Sequence, residues 1–358
     1  MANVLNEDLE RVLVQTRDLW EELRGQRIFM TGGTGFFGCW LLETLLWAND
    51  RLGLKVRATV LTRNFRAFEQ KAPHLAKHSA VTMLTGDVRS FVFPEGEFSH
   101  VIHAATQSSA ALNQAQPALM FDTIVEGTRR CLEFAANRGA RRFLLTSSGA
   151  VYGRQPAELA HLPESFSGAP DPLDPHSAYG EGKRAAETLC ALASRGARLE
   201  AKIARCFAFA GPYMELNAHF AIGNFIRDQM NGGPIRVQGD GTPYRSYMYA
   251  SDLMTWLWTI LFRGTGSRAY NVGSEEAMSI RDLANAVANT LSPRVEVEIL
   301  GTPTGAPTER YVPCTARARE ELGLSQQVSL AQTIQRTQAW FQRTHVAEAR
   351  ETALEAAR

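Results

Sequence analysis

Tyr179 and Lys183 stand four residues apart in the run AYGEGK, and Ser148 closes the earlier run LLTSS. At that spacing the two side chains share one face of a helix, so the lysine's positive charge can stabilise its neighbour's phenolate. A free phenol titrates near ~10. Held partly ionised near neutral pH by Lys183, and bonded to Ser148, Tyr179 could exchange a proton with a hydroxyl group while hydride moves between the adjoining carbon and a nicotinamide. With 8 tyrosines and five lysines in 358 residues, chance supplies a Tyr-x-x-x-Lys roughly 0.1 times. The trio therefore asks for a dinucleotide site elsewhere in the chain.

That site is legible near the start. Arg27 to Met30 is an apolar run that enters Thr31-Gly32-Gly33-Thr34-Gly35-Phe36-Phe37-Gly38, and a helical pattern follows over 37–49. Strand, glycine turn and helix make the dinucleotide-binding arrangement. Gly32 permits the tight turn, Gly35 lets backbone amides approach a pyrophosphate, and Gly38 lets the helix pack on the strand. Phe36 and Phe37 lie at the helix N-terminus, which faces the phosphates.

Strands expected near 27–31, 56–61, 80–84, 99–103, 142–147 and 200–205 alternate with helices near 37–49, 117–138 and 178–195. The alternation predicts an α/β fold: a Rossmann-type, doubly wound parallel sheet with its ligand crevice at the strands' carboxyl ends. Ser148 and the glycine loop both fall at such ends. Beyond Arg205 come loops rich in Gly and Pro (211–217, 231–243, 301–313) and shorter helices near 219–230, 252–263 and 279–291. A smaller, discontinuous domain is expected there. Residues 7–24 place Leu9, Val12, Leu13, Leu19, Trp20 and Leu23 at helical spacing, which predicts an extra helix ahead of the first strand.

Composition narrows the partners. The net charge is +1, and the 38 Lys and Arg residues are interspersed with 37 acidic ones, which argues against nucleic acid. No apolar run reaches the ~18 residues that a membrane span needs, and MANVLNEDLERV is too charged for a secretion signal. Five scattered cysteines (Cys39, Cys131, Cys190, Cys206, Cys314) without CxxC spacing indicate neither a disulfide framework nor a metal site, and fit a reducing cytoplasm. His103, His176 and His219 each read as lone structural histidines.

Taken in order, these segments resemble the extended short-chain dehydrogenase/reductase family, the nucleotide-sugar epimerases, dehydratases and reductases, over nearly the whole chain. Residues 27–38 match its cofactor loop, Gly86-Asp87-Val88 its adenine-side strand end, and His103-Ala104-Ala105 the segment beside the nicotinamide ribose. Ser148, Tyr179 and Lys183 match its catalytic triad, RCFAFAGP from Arg205 its RxxNxxGP, and Arg245 to Asp252 its RDFxYVxD. The resemblance implies a cofactor domain at 25–205, completed by about 247–275, and a substrate domain at 206–246 and 276–358, with residues 1–24 as an N-terminal helix. It implies that Arg245, Arg310 and Asn224 face the diphosphate of a sugar nucleotide, that Ser148 and Gly149 line the sugar site, and that Asp87 meets the adenine. It also implies a homodimer through helices 117–138 and 178–195. Two departures stand out: Ile124 ahead of Gly127-Thr128, and Ala208, where the family commonly has Asn.

Which reaction follows depends on the two residues after Ser148. The family's 4,6-dehydratases carry Asp and Glu there, and its 3,5-epimerase/reductases carry Cys at the second. Here they are Gly149 and Ala150, and neither side chain can move a proton. Redox at one carbon remains, through C4 epimerisation or, as the alternative, C4 ketoreduction, with dehydration and a non-catalytic dinucleotide-binding role behind them. The cofactor is NAD or NADP. Arg63 stands where NAD-preferring members place an acidic residue, and an arginine there can pair with a 2′-phosphate, which suggests NADP(H); it could equally lie over the adenine or face solvent.

Overall fold

The computed structural model describes residues 5–106, 110–196, 198–218, 220–303, 305 and 308–356. Apolar β-branched runs bounded by turns give the strands β1 (Arg27–Thr31), β2 (Arg57–Thr62), β3 (Val81–Thr85), β4 (His100–His103), β5 (Arg142–Ser148) and β6 (Glu200–Cys206). Short strands follow: β7 (Phe209–Ala210), β8 (Ile235–Val237), β9 (Tyr244–Arg245), β10 (Met248–Tyr249), β11 (Ala269–Val272), β12 (Met278–Ser279), β13 (Val297–Ile299) and β14 (Arg310–Tyr311). Seven of them form one sheet in the order β11-β6-β5-β4-β1-β2-β3, with every pair parallel. The strand order reverses between β1 and β4, and a ligand crevice opens at such a switch point.

Helices cover both faces. The first part of the chain contributes α1 (Asn6–Gln15), α2 (Phe36–Leu52), α3 (Phe65–Lys71), α4 (Pro73–Ala76), α5 (Ala110–Ala115), α6 (Pro117–Asn137) and α7 (Ala178–Ala193); α8 (Ala221–Met230), α9 (Ala250–Arg263), α10 (Ile280–Thr290), α11 (Ala316–Leu322) and α12 (Leu330–Ala356) follow. One core gathers α1, α2 and α9 around Trp20, Trp40 and Trp258. A second lies under α6 and α7, around Phe29, Phe134 and Phe143. The smaller lobe has its own core, with Ile222, Phe225, Val237, Leu283, Val287 and Ile334, whereas α11 packs on β11 and α9.

The strand and helix positions read from the sequence agree with this architecture within a few residues. Two details differ. The helix expected over 7–24 is broken: α1 ends at Gln15, and a 3₁₀ turn covers Trp20–Leu23. Thr16 returns its hydroxyl to the Val12 carbonyl at 2.5 Å and accepts the Trp20 indole N–H at 2.9 Å, which turns the chain while keeping its apolar side chains buried. The loops expected at 231–243 and 301–313 contain β8 and β14, and strands this short carry no alternating pattern to detect.

Candidate active site

The glycine loop is shaped by contacts as much as by flexibility. Gly32 has φ +71°, and a Cβ there would lie 2.3 Å from the Ala104 carbonyl oxygen. A Cβ on Gly38 would lie 2.2 Å from the Gly32 carbonyl oxygen and 2.3 Å from the Gly33 Cα, so the first turn of α2 presses directly on the loop backbone. At Gly35 the nearest atom is 3.5 Å away. Space is open where a pyrophosphate would approach the α2 N-terminus, and the donors there suit a dinucleotide.

The loop forms one wall of a cleft of about 1720 Å³. Gly32, Gly35, Phe36, Phe37, Arg63, Asp87, Val88, Ala104 and Ala105 line it from the ends of β1, β2, β3 and β4 and the start of α2, and Ser148, Tyr179, Lys183 and Arg245 line it from β5, α7 and β9. Gly38, Gly149, Asn224 and Arg310 do not. Gly38 serves packing. The Asn224 side-chain oxygen accepts from Arg227 at 3.2 Å, and the Arg310 guanidinium lies 4.1 Å from the centre of the Tyr244 ring. Asp87 is engaged by Arg89 at 2.9 and 3.0 Å, which holds its carboxyl below the usual range.

Lys183 is 3% exposed and donates to the Thr106 hydroxyl at 2.9 Å and the Thr146 carbonyl at 2.7 Å. Burial draws it down to about 8, so it remains charged at neutral pH. Its nitrogen lies 5.9 Å from the Tyr179 ring centre. Tyr179 opens α7, where its N–H donates to the Asn113 side chain at 3.2 Å. Burial pushes its phenol up to about 12, and a hydrogen bond with Ser148 works against that rise. Ser148, at the end of β5, accepts from the Ala150 N–H at 3.1 Å.

Sequence reasoning missed one hydroxyl. Tyr311 of β14 brings its oxygen to 3.3 Å from the Ser148 hydroxyl, and its ring lies 4.6 Å, centre to centre, from that of Phe207. A Cβ on Gly149 would lie 2.7 Å from both the Tyr311 oxygen and the Phe207 ring. Position 149 has no room for a side chain as the cleft stands. Nothing in local spacing marks Tyr311, because Ser148 is 163 residues away in sequence.

The histidines divide. His103 is buried between the Thr31 hydroxyl at 2.7 Å and the Thr128 hydroxyl at 3.1 Å; burial draws it to about 3, which keeps it a neutral strut beneath the glycine loop. His176 pairs with Asp174 at 2.8 Å on the cleft rim. His219 lies outside the described residues. Among the described residues no group of three or more His, Cys, Asp or Glu side chains could hold a metal ion, and no helix is long and apolar enough to cross a membrane.

A family model for the NAD dependent epimerase/dehydratase family matches residues 28–273. UDP-glucuronic acid decarboxylase 2 of Arabidopsis thaliana is 31% identical over 309 residues, which are 86% of this chain and 66% of that protein. The chain thus spans about two thirds of that relative's length. The crystal structure of UDP-glucose 4-epimerase from Thermotoga maritima shares the fold with a TM-score of 0.75 at 20% identity, covering 89% of this chain and 99% of that one. A dTDP-glucose 4,6-dehydratase from Streptomyces venezuelae, solved with NAD and TYD bound, gives a TM-score of 0.75 at 25% identity, covering 88% and 97%.

Proposed function

The chain belongs to the NAD-dependent epimerase/dehydratase family, and on that premise we propose that it is a nucleotide-sugar C4 epimerase. A bound dinucleotide supplies the acceptor and donor of hydride. Tyr179 takes the proton from the C4 hydroxyl and returns it after the keto sugar has presented its other face; Ser148 binds the same oxygen. Lys183, fixed on Thr106 and Thr146, brings positive charge to the phenol and a donor to the ribose. Arg245 receives the diphosphate, and Arg63, with Lys71 on the same cleft wall, suits the 2′-phosphate of NADP(H).

The observation that carries this reading is the filled space behind Gly149. Elimination of water, or proton removal beside the keto group, needs a second acid/base on the sugar, and positions 149 and 150 offer none. Loss of carbon dioxide from a nucleotide-linked hexuronic acid is a second reading, favoured by the decarboxylase relative. Oxidation at C4 places a keto group β to the carboxylate on C5; the C5–C6 bond then breaks with its electron pair passing into a C4 enolate, carbon dioxide leaves, C5 takes a proton from water, and hydride returns to C4 to give the pentose. Product analysis on UDP- and dTDP-linked hexoses and hexuronic acids separates the two: a C4 epimer supports the first, and a pentose nucleotide the second.

We further propose a homodimer through α6 and α7. Ile124, Leu132 and Phe134 of α6 are buried within the subunit and do not reach its surface. Phe121 (37% exposed) and Leu192 (55% exposed) remain on the surface of the pair and supply apolar area for a second copy.

A further inference from the structure

The hydroxyls of the site form a short chain that reaches beyond the Ser148, Tyr179 and Lys183 trio. Ser148 works on two phenols, since its hydrogen bonds draw both Tyr179 and Tyr311 down while burial pushes both up. Tyr311 arrives from the smaller lobe, and its β-strand register partner is Arg245, which lines the same cleft. Its hydroxyl also lies 2.7 Å from where the first side-chain atom of residue 149 would be.

We propose that Tyr311 is a positioning residue of the hydride-transfer site: from β14 it holds the Ser148 hydroxyl and, with the Phe207 ring, fills the space a side chain at 149 would occupy. A neutral phenol that donates to Ser148 leaves the serine's own proton free to point at the Tyr179 oxygen or the sugar C4 oxygen. The 3.3 Å separation is longer than a tight hydroxyl pair, and catalytic hydrogen bonds in ligand-free sites commonly shorten when substrate binds. Because Tyr311 and Arg245 are register partners, a diphosphate docked on Arg245 seats the strand that carries Tyr311, and substrate binding is thereby coupled to the serine's orientation.

The inference rests on the reading of Tyr179 as the proton carrier, and one titration tests the two separately. Ultraviolet difference absorbance of phenolate is followed against pH on protein saturated with NAD⁺ or NADP⁺, whichever binds tighter. Wild type minus Tyr179→Phe isolates the Tyr179 titration, and Tyr311→Phe minus the Tyr179→Phe/Tyr311→Phe double variant isolates it without the second hydroxyl. Tyr311→Phe keeps the ring against Phe207, so the fold is retained. The expected result is an upward move of the Tyr179 midpoint by about half a pH unit or more, the scale of one lost neutral hydrogen bond in the network. An unchanged midpoint overturns the role of Tyr311 and leaves the hydride-transfer reading standing. A wild-type protein with no titration that depends on Tyr179 overturns that reading, and the inference falls with it.

Discussion

In the proposed mechanism Tyr179 carries the heaviest demand. Burial pushes its phenol up to about 12, whereas proton exchange near neutrality needs a lower value, so the charge of Lys183, the Ser148 hydrogen bond and a bound dinucleotide must together bring it down. Tyr179→Phe keeps the ring and should preserve dinucleotide binding while lowering turnover by roughly 100-fold or more; near-normal activity would remove the phenol from the chemistry. Lys183 offers a pH test. It titrates near 8 in the folded chain and near ~10.4 when unfolded. Below about 8 both states hold the proton and the burial penalty is fully present; between the two values the unfolded state holds more protons, so stability rises with pH. Urea midpoints should therefore show a gain of up to about 3 kcal/mol from this group between neutrality and about pH 10, and Lys183→Met should lose that part of the slope. The Tyr179 and Lys183 pair stands out in the sequence because its spacing is local, and Arg63 and Arg245 line the cleft. Tyr311 was not readable, because only the folded chain brings β14 to β5.

At the scale of elements, the junction of β1 and α2 sets the cofactor wall. The two glycines of its loop should respond differently to a methyl group. Gly38→Ala forces a Cβ to within 2.4 Å of backbone atoms of Gly32 and Gly33, so it should destabilise the chain by about 1–3 kcal/mol and abolish dinucleotide binding. Gly35→Ala has 3.5 Å of clearance and should leave the melting temperature nearly unchanged while weakening the dinucleotide, whose pyrophosphate would meet the new methyl. Thermal melts with and without dinucleotide distinguish the two; equal effects on the free protein would mean that the loop is not held by backbone contact. The α6 and α7 pair is also close, since a Cβ on Gly182 would lie 3.2 Å from the Ile124 side chain. Ile124, in the place of the family's usual Asn, thus fills an apolar helix contact.

For the whole molecule, six strands of the seven-stranded sheet were legible because each is an apolar run closed by a turn, whereas β11 (Ala269–Val272), which pairs with β6 from far along the chain, was not among the strands read from the sequence. The smaller lobe was less legible. Its strands are two or three residues long, and they form only where loops from distant segments meet, which leaves no period in the sequence. Arg245 lies on a strand that borders the cleft, while Arg310, on the neighbouring strand, turns to the Tyr244 ring. Assembly belongs at this scale too. With Phe121 and Leu192 exposed on α6 and α7, sedimentation at micromolar concentration should give twice the 39.5 kDa chain mass, and Leu192→Asp should shift the protein toward monomer. A fully active monomer would contradict an interface that braces α7 and its Tyr179.

Hydride transfer at C4 with no second acid/base on the sugar is most directly tested by following isotope. A C4-deuterated nucleotide hexose is incubated with the purified protein and dinucleotide in ordinary water, the unlabelled sugar is incubated in heavy water, and both products are read by NMR. The expected product is a C4 epimer that keeps its deuterium at C4 in the first case and gains none at C3 or C5 in the second. Solvent deuterium at C5, with loss of the C6 hydroxyl, would show that another group moves a carbon-bound proton and would contradict it.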